Sequence, residues 1–163
     1  MKQPLVSIIV TTYNRRQLLT ETLVSIMNQT YRNLEIIVVD GMSNYDVAEL
    51  LTGFNDDRIV FYQNQNNGNI ARNRNFGLNK RSSDIVAFCD DDDVWDPSKI
   101  EKQLNQIDYN QGGQVLYSDR ILLQEDGQRK YQRSQEITNI NDFLGTNPIT
   151  SVSYTHLTLP TKR

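Results

Sequence analysis

Four consecutive aspartates, Asp90-Asp91-Asp92-Asp93, follow an uninterrupted apolar run, Ile85-Val86-Ala87-Phe88-Cys89, and precede Val94-Trp95-Asp96-Pro97. Adjacent carboxylates repel one another unless a cation sits among them. Aspartate oxygens are hard donors, which suits Mg²⁺ or Mn²⁺. Two blander readings stand beside the metal: a solvated acidic loop, and a helix N-terminus, which also favours anions. The run in front tips the balance. An apolar stretch bounded by turn formers reads as a strand buried on both faces, and in open α/β sheets ligands gather beyond the C-terminal ends of such strands.

The elements that must position this cluster alternate in type. Leu5 to Val10 is an apolar, β-branched strand, followed by Thr11-Thr12-Tyr13-Asn14-Arg15 with Asn14 as the expected N-cap. Leu18, Leu19, Thr22, Leu23 and Ile26 then fall on one helical face. Leu34 to Val39 is a second buried strand ending at Asp40-Gly41, with a short helix expected over 46–51. A half-buried strand over 58–62 leads through the turn formers of 63–68 to a helix over about 70–80 carrying Arg72, Arg74 and Lys80. After the aspartates, Asp96 as N-cap and Pro97 at the first helical position predict a helix to about Asp108. A strand over 115–118, a hairpin of 121–124 with 128–132 around Asp126-Gly127, and a helical turn over 139–144 complete the pattern. Strands alternating with helices imply a mostly parallel sheet covered on both faces, an α/β architecture without repeat or linker.

Three strand ends therefore carry polar groups side by side: 11–15, 40–43 and 90–93. Arginines on the helix before the fourth strand are placed to reach the same edge. Aspartates, a metal and arginine forks together suit a diphosphate. Neither Gly-x-x-x-x-Gly-Lys-Ser/Thr nor Gly-x-Gly-x-x-Gly occurs, so phosphate-cradling loops of those kinds are absent.

Val6-Ser7-Ile8-Ile9-Val10-Thr11-Thr12-Tyr13-Asn14-Arg15, Gln29-Thr30, Leu34-Glu35-Ile36-Ile37-Val38-Val39-Asp40, Arg74-Asn75-Phe76-Gly77 and the stretch 85–95 together resemble a family 2 glycosyltransferase over residues 4–151. That resemblance implies a GT-A fold, a nucleotide-diphospho-sugar donor (a UDP- or dTDP-sugar), and Mn²⁺ or Mg²⁺. Thr11, Tyr13 and Asp40 match positions that hold the nucleobase, with Arg15 nearby. Arg74 matches the family arginine near base and diphosphate, although Arg72-Asn73 repeats the same dipeptide and leaves Arg72 as a competitor. Asp90-Asp91-Asp92 matches Asp-x-Asp, with Asp90 and Asp91 towards the ribose, Asp92 and also Asp90 towards the metal, and Asp93 as a further ligand or supporting carboxylate. The blander alternatives are Tyr13 packed on the first helix, Asp40 capping a turn, Arg72 and Arg74 on a solvated face, and Trp95 as a packing anchor.

The implied chemistry is an inverting displacement by an acceptor hydroxyl, on a saccharide or lipid-linked acceptor, in cell-envelope or exopolysaccharide assembly. Its carboxylate base is expected after a segment like Phe143-Leu144-Gly145-Thr146-Asn147-Pro148-Ile149-Thr150-Ser151. At that point the sequence changes character. Val152-Ser153-Tyr154-Thr155-His156-Leu157-Thr158-Leu159-Pro160-Thr161 continues no earlier period and resembles the conceptual translation of a transposase adapter used in sequencing libraries. The expectation is a GT-A domain over 1–151, C-terminally truncated, and a non-native tail over 152–163 that is excluded from fold reasoning. Asp119 and Asp142 do not stand where the base belongs, and the only histidine, His156, lies in the tail. The competing classes are a non-catalytic nucleotide-sugar-binding module and a nucleotidyltransferase on a similar fold, the latter disfavoured by the missing glycine- and lysine-rich loop.

Composition fits this reading. With 163 residues, 37% of them apolar and 23% charged, one domain with a core is expected. The net charge of −3 gives no general pull towards nucleic acid, and no run is long enough to span a bilayer. Met1-Lys2-Gln3-Pro4 leads into a strand, not a signal peptide. The single cysteine, Cys89, allows no internal disulfide and suggests a cytoplasmic setting; peripheral association at the inner face of a membrane is what the family resemblance implies.

Overall fold

A computed structural model describes residues 3–111, 113–124 and 126–133, with the backbone of 154–157. The apolar, β-branched runs become the centre of a sheet. β1 (Val6–Thr12), β2 (Leu34–Asp40), β3 (Ile59–Gln63) and β4 (Ile85–Asp90) pair in parallel in the order β3-β2-β1-β4. Alternate side chains go to opposite faces, as strand geometry requires. Ile8, Val10, Ile36, Val38, Ala87 and Cys89 pack with α1 (Arg16–Met27), α2 (Val47–Thr52) and α4 (Lys99–Leu104). Ile9, Ile37, Val39, Val86 and Phe88 pack with Phe76 and Leu78 of α3 (Ile70–Lys80). The sheet is thus covered on both faces, as the alternating pattern predicts. Gly77 lets α3 lie close. A Cβ there would stand 2.7 Å from Ile9 Cγ2 and 3.2 Å from Val39 Cγ2.

Two helix starts differ from expectation. Asn14 does not cap α1. It holds a left-handed conformation (φ 58°), and its side chain accepts from the Asn44 N–H at 2.7 Å, leaving Arg15 as a cap without a side-chain bond. Leu18, expected on the core face, is 41% exposed. Asp96 does not start α4 at Pro97. Its carboxylate folds back on Ser98, accepting from N–H at 2.9 Å and Oγ at 2.5 Å, which stabilises a turn over 96–98 and delays the helix to Lys99. The helix also ends early, at Leu104, where i→i−3 bonds from Gln106 and Ile107 tighten the chain.

Beyond α4, β5 (Val115–Tyr117) joins the main sheet, while β6 (Arg120–Leu123) and β7 (Arg129–Gln132) form the expected hairpin around Gly127 (φ 80°). Residues Tyr154–Leu157 form β8, antiparallel to both β4 and β5 and lying between them. Ladder bonds are main-chain bonds, so a free strand flank accepts a segment rich in Tyr and Thr whatever precedes it. The helical turn expected over 139–144, Asp142, and the segment 143–151 lie outside the described residues.

Candidate active site

Strand order reverses between β1 and β4, which run out in register at Thr11 and Asp90. Such a switch point opens a crevice beyond the strand ends. β4 leads directly into a tight turn, closed by the Asp93 N–H to the Asp90 carbonyl at 3.2 Å. Its carboxylates are distributed among separate partners. Asp91 Oδ2 accepts from Thr12 Oγ1 (2.8 Å) in a buried bond. Arg15 Nη1 bridges Asp91 Oδ1 (3.2 Å) and Asp92 Oδ2 (2.6 Å), and Arg74 Nη2 pairs with Asp90 Oδ1. Coulombic attraction to Asp91 raises Arg15 above its ordinary pKa, while burial raises Asp91 against the pull of Thr12 and Arg15.

Asp93 is the exception. Its Oδ2 is buried without a hydrogen-bond partner among the described residues, and burial, then the charges of Asp90 and Asp92, push the carboxyl up to about 7. Behind it Lys99 is buried, its Nζ 2.8 Å from Gln103 Oε1 and 4.2 Å from the centroid of the Trp95 ring. Desolvation brings that ammonium down to about 8. Trp95 is a buried packing anchor.

The second wall comes from β2 and the asparagine-rich loop. Asp40 is fully buried and accepts from the Ser43 N–H (3.0 Å), Ser43 Oγ (2.6 Å) and Gln63 Nε2 (3.3 Å). Gly41 and Gly68 cross at close range, with Gly68 N–H donating to the Gly41 carbonyl at 3.0 Å. A Cβ on Gly41 would lie 2.7 Å from Gly68 Cα, and one on Gly68 (φ 74°) would lie 2.6 Å from Tyr13 Cδ1. Tyr13 is thus backed by this loop and is 41% exposed. Asn73, buried in α3, ties the loop down by accepting from Asn64 Nδ2 (3.1 Å) and Asn66 Nδ2.

These walls enclose a cavity of about 360 Å³ lined by Thr11, Thr12, Tyr13, Arg15, Gly68, Ile70, Asn73, Asp90, Asp91 and Asp92. Six of the residues singled out from sequence are therefore brought together there. Asp40 lies beneath the wall, Arg74 reaches the cavity through Asp90, and Arg72 stands exposed on α3. Thr12, Gly68, Ile70 and Asn73 were not singled out. Thr12 was within reach, since it ends β1 beside Thr11, and the duplicated Arg-Asn hid Asn73. As a donor set the carboxylates are hard oxygens suited to Mg²⁺ or Mn²⁺. Among the described residues no three His, Cys, Asp or Glu side chains converge on a common point. A cation that shares its shell with a diphosphate and water takes only one or two carboxylates from the protein, which this cluster can supply.

The sequence profile of glycosyl transferase family 2 matches residues 7–158. The chain is 35% identical over 114 residues to the Escherichia coli UDP-Glc:alpha-D-GlcNAc-diphosphoundecaprenol beta-1,3-glucosyltransferase WfaP, covering 70% of this chain and 44% of that one. It is 42% identical over 97 residues to the Campylobacter jejuni GalNAc(5)-diNAcBac-PP-undecaprenol beta-1,3-glucosyltransferase, covering 55% and 30%. Among solved structures, S. aureus TarS 1-349 in complex with UDP-GlcNAc superposes with a TM-score of 0.62 at 26% identity, over 69% of this chain and 33% of that one. The chain spans less than half the length of these relatives, 44% and 30% of the two transferases. Fold, profile and relatives agree: this chain has the GT-A fold and belongs to glycosyl transferase family 2.

Proposed function

We propose that the cavity between β1 and β4 binds a nucleotide-diphospho-sugar donor, a UDP- or dTDP-sugar, for inverting transfer to an acceptor hydroxyl. The acceptor class is a saccharide or a lipid-linked sugar, in cell-envelope polysaccharide assembly at the cytoplasmic side of a membrane. The observation that carries this reading is the meeting of two arginines with three aspartates at the strand-order switch point.

In this reading Tyr13 offers its open ring face to the base, with Gly68 fixing the other side. Asp40 holds Ser43 and so orders the loop that borders the base. Arg15, half exposed, exchanges its pair with Asp92 for a diphosphate oxygen, and Arg74 remains anchored on Asp90 at the ribose side. Asp92, with a side chain 44% exposed, then faces the cavity as the carboxylate for Mn²⁺ or Mg²⁺, with Asp90 as second donor. When bound, the cation supplies positive charge to the departing diphosphate. No described residue is assigned as the base. Asp119 accepts from Tyr131 Oη (2.5 Å) at the hairpin, and Asp142 is outside the described residues.

Calorimetric titration of the chain with UDP, with and without Mn²⁺, tests the reading. Wild type is expected to bind more tightly with Mn²⁺, and Asp92→Ala to lose that increment by about tenfold or more, on the scale of lost metal-site contacts. Binding indifferent to Mn²⁺, or to Asp92→Ala, overturns it.

A further inference from the structure

Residues 91–98 have no regular secondary structure, yet they present the aspartates and must carry the chain to α4. The C-terminal end of α1 grips this segment through buried polar groups. Ser25 Oγ accepts from the Trp95 N–H at 3.1 Å. Gln29, fully buried just past α1, donates from Nε2 to the Asp96 carbonyl (2.8 Å) and accepts at Oε1 from the Ile100 N–H (3.1 Å). The Thr30 N–H donates to the Pro97 carbonyl at 2.8 Å. An amide bonded at both ends in a buried site has one orientation, and without it the buried Ile100 N–H loses its partner, while the Asp96 carbonyl keeps only the Lys99 N–H at 3.0 Å. At the other end of the same helix, Arg15 holds Asp91 and Asp92. One rigid element therefore fixes both the carboxylates and the exit of the segment that bears them.

We propose that Ser25 and Gln29 form a polar clamp that positions the aspartate turn in the donor cavity. These are positioning residues: neither lines the cavity, and both act through residues 95–100. The inference rests on the donor-site reading, because a clamp matters only where carboxylates must be held to a fraction of an ångström.

The test is UDP titration with and without Mn²⁺ on wild type, Gln29→Leu and Ser25→Ala, with circular dichroism at the titration temperature to confirm folding. The clamp predicts that metal-free UDP binding stays near wild type while the Mn²⁺-dependent gain falls about tenfold in Gln29→Leu, as for lost supporting contacts at metal sites. Ser25→Ala, which loses one bond to the segment besides the Ser25 Oγ bond to the Thr22 carbonyl within α1, should show a smaller loss of the same kind. A purely structural role lowers the melting temperature without separating the two affinities. If Gln29→Leu does not fold, Ser25→Ala decides alone. A full Mn²⁺-dependent gain in every folded variant overturns the clamp and leaves the donor site standing, whereas a wild type without any gain removes the donor-site reading itself.

Discussion

Arg15 spans Asp91 and Asp92 while Arg74 pairs with Asp90, so two cations partner the three carboxylates of the cavity. Arg15 is 49% exposed, and exposed pairs contribute only about 0–1 kcal/mol. A diphosphate can therefore displace Asp92 from it at little cost. Arg15→Ala is expected to change thermal stability by less than about 1 kcal/mol yet to weaken UDP binding, as calorimetry would read. Arg15→Lys should recover little, since an ammonium cannot fork two oxygens. An Arg15→Ala variant that binds UDP like wild type would remove Arg15 from the site. Lys99 supports a prediction of a different kind. Its folded pKa of about 8 lies below the ordinary 10.5, so between those values the unfolded chain holds a proton that the folded chain lacks, and stability rises with pH. The cost is fully present below about pH 8 and is relieved above it. Melting curves between pH 7.5 and about 9.5 should climb for wild type relative to Lys99→Met, and parallel curves would refute the shift. At this scale the aspartates, Thr11, Tyr13 and Arg15 were legible because polar residues ending apolar strands have few structural reasons to be there. Thr12 and Asn73 were not, because their roles arise across the fold: the Thr12–Asp91 bond joins residues 79 apart. Arg72 and Arg74 are separated by helical phase, which sequence motif alone could not supply. Two residues apart on a helix face nearly opposite ways, and it is Arg74 that reaches Asp90.

Helices set the distances between these groups, and α3 shows how tightly. Gly77 stands where a Cβ would approach Ile9 Cγ2 to 2.7 Å, and Ile9 is a buried, β-branched residue of β1 that cannot swing away. In an exposed helix Gly→Ala gains about 1 kcal/mol of propensity, whereas overpacking a core costs about 1–3 kcal/mol. The clash should win. Gly77→Ala is expected to lower stability in urea unfolding and, by lifting the helix that carries Asn73 and Arg74, to weaken UDP binding. A more stable variant with unchanged binding would mean that α3 has slack the packing does not suggest. Element types and order were readable, since period-two and helical patterns are long here and α3 begins and ends where its pattern does. The starts of α1 and α4 were not, and for one reason. Asn14 and Asp96 are both good cap residues, but each spends its side chain on a loop bond, to Asn44 and to Ser98, that outcompetes the cap.

Over the whole molecule, the order β3-β2-β1-β4 makes the functional edge, because it places the ends of β1 and β4 side by side at a reversal. The far flank of β4 is a separate matter. β8 pairs there with residues 85–87, the N-terminal half of the strand, through Ile85 with Leu157, Val86 with His156 and Ala87 with Thr155. The cavity lies at the opposite end of β4, around Asp90. Sequence pattern left 154–157 outside the sheet because a four-residue strand made by main-chain pairing carries almost no hydrophobic signature of its own. Stability and ligand binding should therefore come apart when the chain is ended after Ser151. An unpaired edge on a central, apolar strand invites association with other chains. Light scattering should rise with protein concentration, and amides within 85–87 that face β8 should exchange faster while those of β2 stay protected. UDP affinity should hold, because the bonds of Thr12 and Arg15 to Asp91 and Asp92 join the C-terminal ends of β1 and β4, away from residues 85–87. Unchanged exchange at 85–87 would show that β8 adds nothing to the sheet. Lost UDP binding with β2 still protected would show that the support of β4 runs its whole length, joining the strand's flank to the carboxylates at its tip.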